Sequence, residues 1–107
     1  MKKLIAILLL SASAFAATHT VTIAWVAPTG GATTYNVYRG TASGAEVLYA
    51  NGITGTSYLD STVTNGVTYF YKVTAVSPGG ESVPSAEASV LIPTPPGPPT
   101  GLTLTVN

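Results

Sequence analysis

Gly66-Val67-Thr68-Tyr69-Phe70-Tyr71-Lys72-Val73-Thr74-Ala75-Val76-Ser77-Pro78-Gly79-Gly80-Glu81-Ser82 decides the fold class of this chain. Tyr69, Tyr71, Val73 and Ala75 fall on one side of an alternating run, and Phe70, Lys72, Thr74 and Val76 on the other. Asn65-Gly66 precedes it and Pro78-Gly79-Gly80 follows. Side chains of a strand alternate between its faces, so this is a strand with one face buried, closed by turns at both ends.

Shorter stretches repeat the pattern. From His19 to Trp25, residues Val21, Ile23 and Trp25 share a face, and Ala27 to Gly31 end the run. Thr34 to Arg39 places Tyr35 and Val37 inward, and Gly40 to Gly44 close it. Glu46 to Ala50 reads as a short strand stopped by Asn51-Gly52, Ser57 to Asp60 as another, and Ala86 to Ile92 as the last. No helical period lasts more than a turn beyond Ala17. Turn signals at about ten-residue spacing predict an all-β antiparallel sandwich or barrel.

The first residues stand apart. Lys2 and Lys3 give a positive start, Leu4 to Leu10 an apolar run, and Ala14-Phe15-Ala16 a cleavage pattern, so residues 1–16 read as a signal peptide. Leu4 to Ala17 as a helix would span about 21 Å, short of the roughly 30 Å hydrocarbon core. The expectation is therefore export, with secreted or periplasmic localisation and no stable membrane insertion after cleavage. The chain has no Cys, which excludes a thioether lipid anchor and disulfides. The remaining part, about ninety residues, suits one domain with one core.

Charge is scarce. Beyond the leader, Arg39 and Lys72 face Glu46, Asp60, Glu81 and Glu87, a net of −2 with His19 neutral. Two scattered cations cannot form the basic surface that nucleic acid requires. One His and no Cys offer no His/Cys metal set, and no cofactor is expected. His19 reads as a surface residue at a strand start. Asp60 reads as an acceptor of local backbone hydrogen bonds. Gly79-Gly80 is a turn and not a phosphate loop, because no helix follows. Nothing suggests two carboxyls facing one cleft, so no enzyme is expected.

The ordered set Val21-Thr22-Ile23-Ala24-Trp25 with Ala27-Pro28, Tyr35 to Gly40, Tyr58 and Asp60, Val63 with Gly66, Tyr69, Tyr71, Val73, Ala75 and Val76, then Gly79-Gly80-Glu81-Ser82 and Ser85, resembles the fibronectin type III family, particularly its bacterial extracellular members. The resemblance covers about Thr18 to Ile92 and implies an immunoglobulin-like antiparallel β-sandwich over residues 17–92. It implies that Trp25 packs between the sheets. It also implies that Tyr69 is a corner tyrosine whose hydroxyl bonds backbone near Val63 to Gly66. Tyr71 departs from the aliphatic residue common there. The core expected from pattern and resemblance is Val21, Ile23, Trp25, Tyr35, Val37, Tyr69, Tyr71, Val73 and Ala75.

The larger departure is an absent first strand before His19. Pro93 to Pro99 reads as a stiff linker. Residues 100–107, with Leu102, Leu104 and Val106 alternating with threonines, resemble that absent strand. Three arrangements are open: the start of a further module in a tandem array, a tail that fills the edge of its own sandwich, or a tail donated to another molecule. On this reading the chain is a secreted, non-enzymatic spacer, adhesion or interaction module with a protein or polysaccharide partner. The alternative is a self-assembling subunit that associates through residues 100–107. Tyr38, Phe70, Lys72 and Val76, outward on neighbouring strands, form the candidate binding face; the alternative role of Tyr38 and Phe70 is to stabilise each other across the strands. The loops Ala27 to Thr33 and Pro78 to Ser82 are a second candidate.

Overall fold

Alternation becomes hydrogen-bonded structure in seven strands. The computed structural model describes residues 18–107; the signal peptide read at residues 1–16 lies outside the described residues. The strands are β1 (Val21–Ala24), β2 (Thr34–Gly40), β3 (Val47–Ile53), β4 (Ser57–Asp60), β5 (Thr68–Ser77), β6 (Gly80–Glu81) and β7 (Ala88–Leu91). Among the described residues there is no helix. β1 and β4 make a two-stranded sheet. The order β3-β2-β5-β6, with β7 also on β5, makes a five-stranded one. All pairings are antiparallel.

The apolar positions of the two sheets meet in one core. Val37, Tyr69, Tyr71 and Ile92 are buried at its centre, and Val21, Ile23, Trp25, Tyr58, Val63 and Val73 pack against them. Tyr35 is buried against Trp25, with ring centroids 5.2 Å apart. Ala75 is half-buried at the end of the same face of β5. Each large apolar side chain fully withdrawn from water contributes roughly 1.5–3 kcal/mol, which must offset chain entropy without a disulfide.

Three local devices complete the sheets. Asn51-Gly52 does not end β3, as its composition suggested. Gly52 has φ +68° and sits in a bulge, where the register moves from Tyr35↔Ile53 to Val37↔Ala50. Asn-Gly serves a bulge as readily as a turn, because both need the left-handed region. Gly40 closes β2 because a Cβ there would lie 2.8 Å from the Ala45 carbonyl oxygen. Between β6 and β7, two serines continue the ladder on β5. Ser82 N donates to Ala75 O at 2.8 Å while Ser82 Oγ accepts from Ala75 N at 2.9 Å. Ser85 treats Val73 the same way, at 2.8 and 3.0 Å. Pro84 has no N–H to donate, and the two hydroxyls on either side of it serve as acceptors for the Ala75 and Val73 N–H groups.

The corner implied for Tyr69 is present: its hydroxyl accepts from Thr64 N at 3.0 Å. Asp60 does more than its expected local bonding. Its carboxylate, 1% exposed, accepts from Thr62 N at 3.0 Å, but also from Tyr71 at 2.7 Å, Arg39 at 2.8 Å and Tyr49 at 3.1 Å. Arg39 lies over the Tyr49 ring at 4.0 Å and the Tyr69 ring at 4.8 Å. Burial acts to raise the Asp60 pKa, but the Thr62 backbone N–H, Tyr71 and Arg39 outweigh it and hold the carboxyl well below its ordinary range. Burial first, and the Asp60 carboxylate second, push the Tyr71 phenol well above its own.

Residues 94–107 belong to a separate unit. They contain no strand, and Leu102, Leu104 and Val106 are 86%, 89% and 98% exposed. The tail strand expected there is thus absent from this conformation. A short extended segment without a ladder partner gains nothing that offsets its ordering.

Two outcomes follow from these bonds. Tyr69→Phe leaves Thr64 N without its acceptor and should cost about 1 kcal/mol in urea unfolding, with the spectrum of the folded state unchanged. Asp60 has a depressed folded pKa, so its contribution is present above its unfolded value near about 4 and is lost as pH falls below that. Unfolding free energy should therefore drop as pH falls from about 5 to 2. Asp60→Asn should be less stable at neutral pH and lose less on acidification.

Candidate functional site

Strand pairing places the proposed binding face on the outer side of β2 and β5. The register sets Tyr38 opposite Lys72 and Phe70 opposite Gly40. Tyr38 and Phe70 are therefore diagonal neighbours across the two strands and not directly opposite partners. Phe70 instead stands across from Gly40, whose own Cβ position is taken up by the Ala45-Glu46 backbone. All four residues, Tyr38, Phe70, Lys72 and Val76, are half-buried.

Two adjoining depressions, which share Glu81 and Ser82, take three of the four. Tyr38 and Lys72 line an open depression of about 330 Å³ with Glu46, Thr74 and Glu81. Val76 lies instead in a second depression, of about 310 Å³, with Pro28, Thr29, Gly79 and Gly80. That second depression is where the two candidate loops meet. Thr33 N donates to Val76 O at 2.7 Å, and Gly31 N to Pro28 O at 3.1 Å, which fixes the first loop against the end of β5. Gly79 N donates to Ser77 Oγ at 3.1 Å and shapes the second loop.

Carboxylates that carried no role in the sequence organise the first depression. Glu81 accepts from Thr74 Oγ1 at 2.6 Å, from Asn36 Nδ2 at 3.2 Å and from the Tyr38 hydroxyl. Those bonds, Thr74 first, lower the Glu81 pKa; the bond to Glu81 raises that of Tyr38. Glu87 accepts from Ser43 Oγ at 2.7 Å and Gly44 N at 2.9 Å. The neighbouring Glu46 carboxyl, then the bonds from Gly44 and Ser43, bring its pKa down to about 2. Lys72 Nζ lies 3.9 Å from Glu46 Oε1. The polar groups of Tyr38 and Lys72 are thus engaged by the protein's own carboxylates. The available signal was the turn: Gly79-Gly80 brings Glu81 back opposite Val76, beside Thr74.

Chemistry beyond binding has little foundation here. Among the described residues no three His, Cys, Asp or Glu side chains are grouped to hold a metal ion. Asp60, the most perturbed carboxylate, is enclosed by Arg39, Tyr49, Tyr71 and Thr62 and presents no oxygen to an open cleft. His19, at the chain's approach to β1, bonds Asn65 Oδ1 at 2.9 Å. Among the described residues no helix is long and apolar enough to cross a membrane.

Known proteins resemble this arrangement in sequence and in shape. No family model matches the chain. A 66-residue stretch, 58% of the chain, is 42% identical to part of an amylopullulanase from Thermoanaerobacterium saccharolyticum and covers 5% of that protein. A 70-residue stretch, 64% of the chain, is 46% identical to part of a poly(3-hydroxybutyrate) depolymerase from Ralstonia pickettii and covers 13% of it. The chain therefore matches only a small fraction of the length of these relatives. Among solved structures, the twitchin kinase region of C. elegans aligns with a TM-score of 0.63 at 26% identity, over 72% of this chain and 14% of that one. An Fn3-like protein from Clostridium thermocellum aligns with a TM-score of 0.63 at 42% identity, over 73% of this chain and 81% of that one. With that coverage and identity, on a sandwich whose corner tyrosine bonds the loop before it, the chain belongs to the fibronectin type III family.

Proposed function

We propose that this chain is a secreted, non-catalytic spacer module, of the kind that separates or positions working parts of proteins acting on polymers outside the cell. The observation that carries the reading is the size of the match. Stretches of this chain that are 42% and 46% identical make up 5% of an amylopullulanase and 13% of a depolymerase. A segment that small within a large enzyme is an accessory unit, and the fold itself hosts many functions, so the site must decide between them. The names of those relatives point to polymeric substrates, which are too large to enter a cell. The leader read at residues 1–16 agrees with export.

The geometry favours spacing over binding. Tyr38 is held by Glu81, and Lys72 faces Glu46, so a ligand would have to displace bonds the module already makes. The competing role, a polysaccharide or protein contact through Tyr38, Phe70, Lys72 and Val76, has one measurable signature. Affinity electrophoresis in amylopectin or pullulan, and pull-down on poly(3-hydroxybutyrate) granules, should show no retention of the protein. Retention that disappears in the Tyr38→Ala, Phe70→Ala double variant would overturn the spacer reading and assign the face to ligand.

A further inference from the structure

One side of the sandwich has the form of a receiving slot. β1 pairs with β4 along one edge, and among the described residues nothing pairs along the other. β7 pairs with β5 and likewise has no second partner among the described residues. Between β1 and β7 lies an open groove of about 300 Å³, lined mainly by Val21, Ile23, Tyr71, Ala88 and Val90. Where β1 ends, a second cavity of about 190 Å³ takes over, lined by Trp25, Tyr35, Val26 and Val83. Val26 and Val83 are 91% and 84% exposed.

An independent observation concerns Trp25, one of the residues that line that second cavity. Trp25 Nε1 is buried and has no hydrogen-bond partner. Indole nitrogen is a donor only, and buried donors are nearly always paired. An unpaired strand edge needs backbone partners as well, and such edges recruit strands. One incoming extended chain meets both needs: its backbone pairs β1, and a turn of the Trp25 ring, whose Nε1 is occluded as it stands, brings that donor to one of its carbonyls.

We propose that this slot receives residues 98–106 of a second copy of the chain, laid antiparallel to β1. The segment fits in three respects. Leu102, Leu104 and Val106 alternate with Thr103 and Thr105, as half-buried Val21 and Ile23 alternate with exposed Thr22 and Ala24. From Leu102 to Val106 is about 14 Å of strand, enough to pair all of β1. Neither the lining of the groove nor residues 98–106 carry a charged side chain, so docking strands no ion in an apolar setting. In this orientation Pro98 and Pro99 lie against Trp25, Val26 and Val83.

Direction selects a neighbour over the chain's own tail. His19 bonds Asn65, and the adjacent Gly66 N bonds Ile92 O at 2.7 Å. The start of β1 and the end of the last strand therefore share a pole. An antiparallel donor must arrive at the opposite pole, beside Trp25. The tail of a second molecule enters there without reversing, whereas the chain's own tail would first have to run back along the length of the domain. The contact is head-to-tail and can propagate.

Trp25 is the only tryptophan, so its fluorescence reports occupancy of the slot. Sedimentation velocity over a concentration series should show average mass rising with concentration. Leu104→Asp, at an exposed position outside the sandwich, should weaken association at least tenfold. A synthetic peptide of residues 96–107 should shift Trp25 emission saturably and compete with association. A protein that stays monomeric overturns the proposal; if its Trp25 emission changes in Leu104→Asp, the tail closes on its own body instead. Association that survives Leu104→Asp, or a peptide that leaves Trp25 emission unchanged, overturns it too.

Discussion

The Asp60 carboxylate joins the two layers of this domain. It lies on the last residue of β4, in the two-stranded sheet, and takes hydrogen bonds from Arg39 on β2, Tyr49 on β3 and Tyr71 on β5. One buried side chain thus ties the small sheet to three strands of the large one. Thr62 closes the remaining positions through its backbone and hydroxyl. Replacing such a pair with well-packed apolar side chains can be neutral for stability, whereas removing one partner leaves a buried charge unpaired. Its value is directional: only one docking of the sheets satisfies all the donors. Apolar burial alone would tolerate several.

Around that link the domain is lopsided. The large sheet has its outer face held by its own groups, with Glu81 on Thr74, Asn36 and Tyr38, and Glu87 on Ser43 and Gly44. The small sheet has two strands and an apolar groove along β1. Glu81 and Glu87 on the first side are held by these donors, whereas Glu46 Oε2 there and Trp25 Nε1 on the second side are each buried without a hydrogen-bond partner.

Much of the fold was legible because its determinants are local. The alternation of Thr68 to Ser77 follows from a period of two, and the position of Tyr69 and its bond to Thr64 follow from resemblance over a few residues. What escaped was non-local or ambiguous. Asn51-Gly52 has the chemistry of a turn and a bulge alike, and only pairing with β2 decides between them. Asp60 draws its partners from positions 39, 49 and 71, separations no local pattern exposes. Tyr38 and Phe70 share one face by alternation, but their neighbours depended on register: Lys72 for one, Gly40 for the other. The candidate site was thus readable as a list of residues and not as an arrangement.

A double-mutant cycle between Arg39 and Asp60, read by urea unfolding at neutral pH, tests the central claim most directly. Arg39→Met and Asp60→Asn should each cost about 3 kcal/mol, near the lower end for a broken buried pair, because Arg39 keeps some contact with water. Their coupling energy should reach about 2 kcal/mol, since each removes the other's partner. Single substitutions that cost less than about 0.5 kcal/mol and simply add would mean that apolar packing alone docks the sheets.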